Sequence, residues 1–450
     1  MAETPVAVGA SAPSRSYRTV VLLLLTLVYV FNFVDRQIIG NISPAIKAEM
    51  GFSDAQLGWL KGFAFALFYT IVGIPIAWLA DRYSRVRIVT VALAAWSAMT
   101  ALTGMAQTFT QMALARLGVG IGEAGGSPPS HSMISDLYPK EERASALGIY
   151  SLGIPIGIAF SYILAGLLVE SFGWRGTLLF LGAAGLVLAL VLALVIREPQ
   201  RGQVDAATAD AIKPVGLAES VSTLMRIPAW WAMCLGIAFA SFCGYALGAW
   251  GIDYVTRLDP SYMPGAPDGN FSELMLWLGL INLVFYGAGT LGGGYVTERL
   301  SRRSVSAYGW FPALAILIAG PALIAALYVP SVTAHVALLC IYLVGAGVYL
   351  GPSFAAAQTL APINMRAMST ALFFLILNLI ALGGGPTYIG IVSSALAGQH
   401  GELVSLRMAL TTLAVPFALS IACFLWAARR MPTDWAAAEA RNAQAAAATA

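Results

Sequence analysis

Long apolar runs separated by short polar ones set the rhythm of this chain. A bilayer core of about 30 Å takes roughly 20 apolar residues per helix. On that measure the runs predict twelve transmembrane helices, at 17–40, 55–79, 87–106, 109–135, 143–169, 174–196, 229–256, 272–297, 305–329, 333–357, 367–396 and 402–429. The longest polar gap, Arg197 to Arg226, follows the sixth, is mixed in charge and holds Pro199 and Pro214. The pattern therefore divides the chain into a tail (1–16), a six-helix bundle (17–196), a linker (197–228), a second six-helix bundle (229–429) and a tail (430–450). The fold class is all-α integral membrane. Both tails are expected to be poorly ordered. The first apolar run is too long for a signal-peptide core and leads straight into further spans, so no cleaved leader is expected.

Composition agrees with this reading. Of 450 residues, 59% are hydrophobic and 10% charged, and mean hydropathy is +0.78. Soluble domains carry roughly 25% charged residues. A net charge of +3 gives no basic footprint for nucleic acid. Cys234, Cys243, Cys340 and Cys423 lie in apolar stretches without metal-ligand spacing. His131, His335 and His400 are scattered. No metal, cofactor or catalytic constellation is expected, which argues against a membrane enzyme.

Charge in the loops sets an orientation, because Lys and Arg accumulate on the cytoplasmic side. Lys47, Arg175, Arg257 and Arg407 fall on one side, Arg36, Lys61 and Arg116 fall inside spans, and the remaining eighteen Lys and Arg fall with the termini. Both termini are therefore expected in the cytoplasm, with the protein in a plasma or inner membrane.

One short pattern occurs twice. Asp81-Arg82-Tyr83-Ser84-Arg85 and Glu298-Arg299-Leu300-Ser301-Arg302 share the order acid, Arg, any residue, Ser, Arg, and lie about half the chain apart. Each joins the second and third spans of its half. Duplicated halves are a hallmark of secondary transporters. The acids suit helix N-termini, so Asp81, Arg82, Arg85, Glu298, Arg299 and Arg302 are candidate gating residues; simple positive-side anchoring is the plainer alternative.

Charges inside the membrane are costly and face cavities or partners. Asp35 and Arg36 lie toward the outer end of the first span, and Arg116 and Glu123 on the fourth. Arg116 and Glu123 are two turns apart on one face, with Gly118, Gly120 and Gly122 between them for close packing. By depth, Asp35 matches Arg116, and Glu123 lies deeper. A carboxylate that gains and loses an Arg partner can hold and release a proton, so Asp35 and Glu123 are candidate proton carriers and Arg36 and Arg116 charge-relay or substrate residues. A static buried ion pair is the alternative. Lys61 meets an anionic headgroup or snorkels to the interface.

The loop pattern resembles the signature of the major facilitator superfamily, Gly, three residues, Asp, Arg, any residue, Gly, Arg. Here Ala77 and Ser84 replace the glycines of the first copy, while the second keeps Gly294 and has Ser301. Asn32-Phe33-Val34-Asp35-Arg36, Arg116 through Ala124, Asp136-Leu137-Tyr138, Gly173-Trp174-Arg175 and Arg197 through Gly202 are similar to Spinster-like transporters, and the chain is identified as a bacterial homologue of them. The resemblance implies two six-helix bundles around a cavity, alternating access, and a proton-coupled lysophospholipid or sphingoid-type substrate, with Asp35, Arg36, Arg116 and Glu123 as family site positions. A soluble organic anion or drug-like molecule is the alternative substrate. A monomer is expected. Asn282, Tyr286 and Asn378 are candidate cavity-lining positions; Gly153 to Gly157 reads as packing and hinge; His131 reads as a hydrogen-bonded helix residue rather than a relay.

Overall fold

A computed structural model gives the structure, and it describes residues 14–80, 82–200, 217–267, 269–362 and 365–449. Every regular element in these residues is helical. The first half starts at Ser14, whose hydroxyl accepts from Tyr17 N–H and caps α1 (Arg15–Met50). Gly51, in the left-handed region at φ 66°, ends α1. A Ser53/Gln56 capping box opens α2 (Asp54–Lys61), and a break at Gly62 separates it from α3 (Phe63–Ala80). Ser84 caps α4 (Arg85–Met105) and Thr108 caps α5 (Phe109–Glu123). Then come α6 (Ser127–Leu137), α7 (Lys140–Ser151) and α8 (Gly153–Val195), the last kinked at Gly173, φ 66°.

The short α9 (Leu217–Met225) precedes the second half. That half holds α10 (Pro228–Leu258), α11 (Asn270–Ile281), α12 (Gly287–Ser301), α13 (Ala307–Ala326), α14 (Val332–Val348), α15 (Leu350–Leu360), α16 (Arg366–Leu377), α17 (Gly385–His400), α18 (Glu402–Thr411) and α19 (Ala414–Thr449). π-helical turns at Asn282–Tyr286 and Asn378–Gly384 join α11 to α12 and α16 to α17.

Among the described residues, ten helices are long and apolar enough to cross a membrane. Two features separate this number from the sequence pattern. The span expected at 109–135 is interrupted after Glu123, leaving α5 and α6 each too short to count alone. The spans expected at 143–169 and 174–196 run together through the kink at Gly173. Apolar side chains face outward along the bundle, with Leu194 76% and Leu291 74% exposed. That suits lipid, where outward apolar surface carries no hydrophobic penalty.

Two expectations need correction. The first span was read as ending near residue 40, yet α1 runs to Met50. The polar residues beyond 40 are not surface: Asn41 donates to Ser161 Oγ at 2.8 Å and Ser43 to Asp253 Oδ2 at 2.6 Å. The C-terminal tail was expected to be poorly ordered, yet α19 continues to Thr449. Ala is the best helix former, and the first part of this extension is tied down: Asp434 accepts from Ala229 N–H at 2.7 Å and Trp435 stacks on Tyr308. Residues 1–13 and half of the linker, 201–216, lie outside the described residues.

Helix packing places the site. α1 packs on α8 and α10, α4 on α5 and α8, and α2 on α17. The α1–α10 and α2–α17 contacts join one half of the chain to the other.

Candidate transport site

Arg36 of α1 and Glu123, the last residue of α5, form the central ion pair. Arg36 Nη2 and Nε donate to Glu123 Oε2 at 3.0 and 3.3 Å, and Nη2 also donates to Asn32 Oδ1 at 3.2 Å. The guanidinium lies 5.0, 5.1 and 4.8 Å from the ring centres of Phe33, Phe65 and Tyr69, an arrangement that favours a cation where water is scarce. Both side chains are buried. Glycine brings α5 close enough for this: a Cβ on Gly120 would stand 2.5 Å from Phe65 O and one on Gly122 2.8 Å from Trp96.

Asp35 and Arg116 are also buried, and neither forms an ion pair among the described residues. Asp35 Oδ1, Arg116 Nε and the second oxygen of Glu123 have no hydrogen-bond partner among the described residues. Asp35 faces Thr100 and Trp96 of α4 and lies in the field of Arg116 and Glu123. Arg116 sits over Phe65, 5.6 Å from its centre. The depth argument matched Asp35 with Arg116; instead Glu123 is at the level of Arg36. The reason is the length of α1, which puts residue 36 well inside the helix rather than at its end.

A second set of charges lies on the seam between the halves. Lys61 Nζ donates to Asp253 Oδ2 at 2.7 Å and to Ala249 O at 2.9 Å, and stands 3.8 Å from the Trp250 ring centre. This cation points into the protein and does not snorkel: its side chain is 1% exposed. Closer to the Met50 end, Asp54 accepts from Arg257 at 2.6 and 2.8 Å, from Ser393 at 2.6 Å and from Lys47 at 2.9 Å. Lys47 also pairs with Glu402 at 2.8 Å. At the Gly62 break, Thr387 Oγ1 accepts from Phe63 N–H and donates to Gly58 O, both at 3.1 Å. A narrow pocket lined by Arg36, Gln37, Lys61, Tyr245 and Pro386 brings the two sets of charges to one space.

The repeated loops sit at the opposite end and differ from each other. Arg85 is buried and donates to Glu198 Oε1 and Pro199 O at 2.8 Å, to Ser132 at 2.8 Å and to Asp136. Glu198 also accepts from Ser84 Oγ at 2.7 Å and Val86 N–H at 3.0 Å. Burial opposes ionisation of Glu198 most strongly, yet these donors outweigh it and hold the carboxyl below the usual glutamate range. Arg82 lies exposed over Trp78, 3.8 Å from its ring. In the second copy, Glu298 and Arg302 form an exposed pair at 3.4 Å and Arg299 is exposed. Asp81 lies outside the described residues.

Asn282 and Asn378 each open a π-helical turn, a distortion frequent at functional sites. Among the described residues Asn282 Oδ1 is buried without a hydrogen-bond partner, and Tyr286 ends the first turn. His131 Nδ1 bonds locally to Ser127 O at 2.8 Å. Gly157 packs against α1, where a Cβ would meet Phe33 at 2.6 Å.

Sequence reading missed Asp253, Asp54 and Ser43. Asp253 carried a usable signal, a lone acid inside the apolar run 229–256. Asp54 looked like a loop acid, since only the fold brings Arg257 and Ser393 to it.

Residues 25–386 match the family model of the Major Facilitator Superfamily. The chain is similar to an MFS-type efflux pump of Mycolicibacterium smegmatis, 30% identical over 423 residues, covering 94% of this chain and 95% of that protein. It is similar to a probable L-galactonate transporter of Escherichia coli, 29% identical over 298 residues, covering 64% of this chain and 63% of that one. The crystal structure of a bacterial homologue of the human lysosomal transporter Spinster, inward-facing and unoccupied, matches with a TM-score of 0.85 at 31% identity, covering 94% of this chain and 99% of that one. With the family model running through most of an all-helical, multi-pass membrane chain, this protein belongs to the Major Facilitator Superfamily of transporters, as a Spinster-like member.

Proposed function

We propose that the protein is a proton-coupled, alternating-access transporter of an anionic amphiphile of the lysophospholipid or sphingoid type. It crosses an inner membrane twelve times, as two six-helix halves joined by the linker, with both termini cytoplasmic, and acts as a monomer. The observation that carries this reading is the buried cluster of Asp35, Arg36, Arg116 and Glu123, in which, among the described residues, Glu123 is ion-paired and Asp35 is not. A carboxylate without a partner in an apolar interior favours its protonated form, and one beside Arg its ionised form. Exchange of the Arg36 partner between Glu123 and a substrate anion would then move a proton with the substrate. Arg116 and Lys61 complete the cationic wall; Asn282, Tyr286 and Asn378 line the opposite one.

The charged links across the seam lie on the Met50 side, which the Lys and Arg asymmetry makes the outer side. This supports an inward-facing arrangement, as in the matched Spinster homologue. Asp81, Arg82, Arg85, Glu298, Arg299 and Arg302 act when the cytoplasmic side closes. The similarity to the probable L-galactonate transporter favours a second reading with the same mechanism and a soluble organic anion as substrate; the efflux-pump likeness extends it to drug-like molecules.

The test is transport in proteoliposomes with and without an imposed pH gradient, using lysolipids, sphingoid phosphates, sugar acids and drugs. Glu123→Gln should cut proton-driven transport sharply while exchange without a gradient survives better. Arg116→Ala should damage both. Normal gradient dependence in both Glu123→Gln and Asp35→Asn would sink proton coupling through this cluster.

A further inference from the structure

We propose that Lys61 is a shared cation: Asp253 holds it while the central site is empty, and the anionic group of an entering solute takes it over, so that the solute itself unfastens the seam between the halves. The inference rests on the reading above of an anionic solute, and adds Asp253 and Ser43 to the working parts.

Three features of the seam carry it. First, the ammonium of Lys61 belongs to the first half, but what it touches belongs to the second: Asp253, Ala249 O and the Trp250 ring, all in α10. Moving Lys61 off Asp253 therefore releases α2 from α10. Second, Asp253 Oδ2 also accepts from Ser43 Oγ at 2.6 Å. Because Ser43 lies on α1, that hydrogen bond is itself a second link across the seam: it satisfies the carboxylate at the moment Lys61 leaves and breaks only as α1 and α10 then part. Third, Lys61 and Arg36 border the same narrow pocket. Each is already held by one carboxylate, Asp253 or Glu123. The pocket is now only about water-sized; an anionic group that widens it meets two cations whose present partners are of its own chemical kind, which makes exchange a like-for-like replacement. An uncharged solute offers Lys61 no such replacement and leaves the seam fastened. The solute's charge thereby becomes the condition for opening, which is a specificity device as well as a gate.

The experiment uses the full-length protein in nanodiscs with three probes: lysophosphatidylglycerol, a monoacylglycerol of equal chain length, and glucuronate. Binding is measured by titration, and the seam by the distance between spin labels at Ala48 and Gln399. In the parent protein the lysophosphatidylglycerol should lengthen that distance and the monoacylglycerol should not. Asp253→Asn, which frees Lys61, should lengthen it without any probe and bind the anionic probe roughly tenfold tighter, as expected when a competing closed state is depopulated. The double variant Lys61→Gln/Asp253→Asn should lose that gain. Should Asp253→Asn fold poorly, Lys61→Gln alone decides: its affinity for the anionic probe should fall while that for the monoacylglycerol holds. An unchanged affinity in folded Asp253→Asn, or a gain that survives in the double variant, overturns the inference while anion binding by the parent keeps the substrate reading. If neither anion binds parent or variant, both fall together.

Discussion

The two ends of the bundle hold their charges in opposite ways. At the Met50 end, Asp54, Lys61, Arg257 and Ser393 tie α2 to α10 and α17 across the two halves. At the other end, Ser84 and Arg85 pair with Asp136 and the first residues of the linker, and Glu298 pairs with Arg302, so that neither set reaches the opposite half. The first arrangement holds two bodies together; the second stiffens each body separately. A protein whose halves rock needs both, because a link that spans the halves selects a state, while a link within a half keeps that half rigid as it moves.

Mutations can break or sharpen this contrast. The largest effect is expected from Asp54→Ala, which takes from Arg257 the carboxylate that accepts from both of its terminal nitrogens. Removing one partner of a buried pair costs roughly 3–5 kcal/mol, here charged to the closed seam. Spin-label distances should shift strongly toward separation at that end; an unchanged distribution would remove the state-selecting role. Arg85→Ala should cost about 1–3 kcal/mol by removing the guanidinium that Asp136, Glu198 and Pro199 share, and it should appear as a lower melting temperature with the distances at the Met50 end unchanged. A shift in state population would mean that the Arg85 clamp also holds the present arrangement, in addition to its proposed part when the cytoplasmic side closes.

The same clamp has a pH signature. The folded Glu198 carboxyl titrates below its unfolded value, so its contribution is complete above the ordinary glutamate pKa and is lost as pH falls through the depressed one. Glu198→Gln should flatten that acid limb of the melting temperature, and a limb unchanged in the variant would assign it elsewhere. The smallest effect is expected for Glu298→Gln, whose exposed pair one helical turn apart is worth below about 0.5 kcal/mol. A large loss of stability there would mean that the second loop is clamped like the first.

What could be read from sequence followed what is local. Apolar runs marked the spans, and the lone charges Arg36, Lys61, Arg116 and Glu123 marked the site, because each is improbable in lipid on its own. Pairings were harder. Arg36 rather than Arg116 holds Glu123 because α1 continues through Asn41, Ser43 and Pro44, polar residues that look like a helix end until their partners Ser161 and Asp253 are known. The seam was invisible for the same reason: Asp54 acquires meaning only when residues some two to three hundred positions away arrive beside it. The Ala-rich tail misled in another way: a chain terminus suggests disorder, whereas here intrinsic helix propensity and the contacts of Asp434 and Trp435 keep it helical.

The α2–α17 contact is glycine against backbone. A methyl on Gly390 would stand 2.4 Å from Asp54 O, one on Gly58 2.9 Å from Pro386 O, and one on Gly62 2.4 Å from Thr387 Oγ1. Such a joint has no thickness to spare: one added carbon at any of these positions acts as a shim, holding the faces apart without touching a single charge. Gly390→Ala is thus a tool for trapping the opposite conformation for structural work, and in a population of variants it marks where the smallest possible side chain is also the most consequential one.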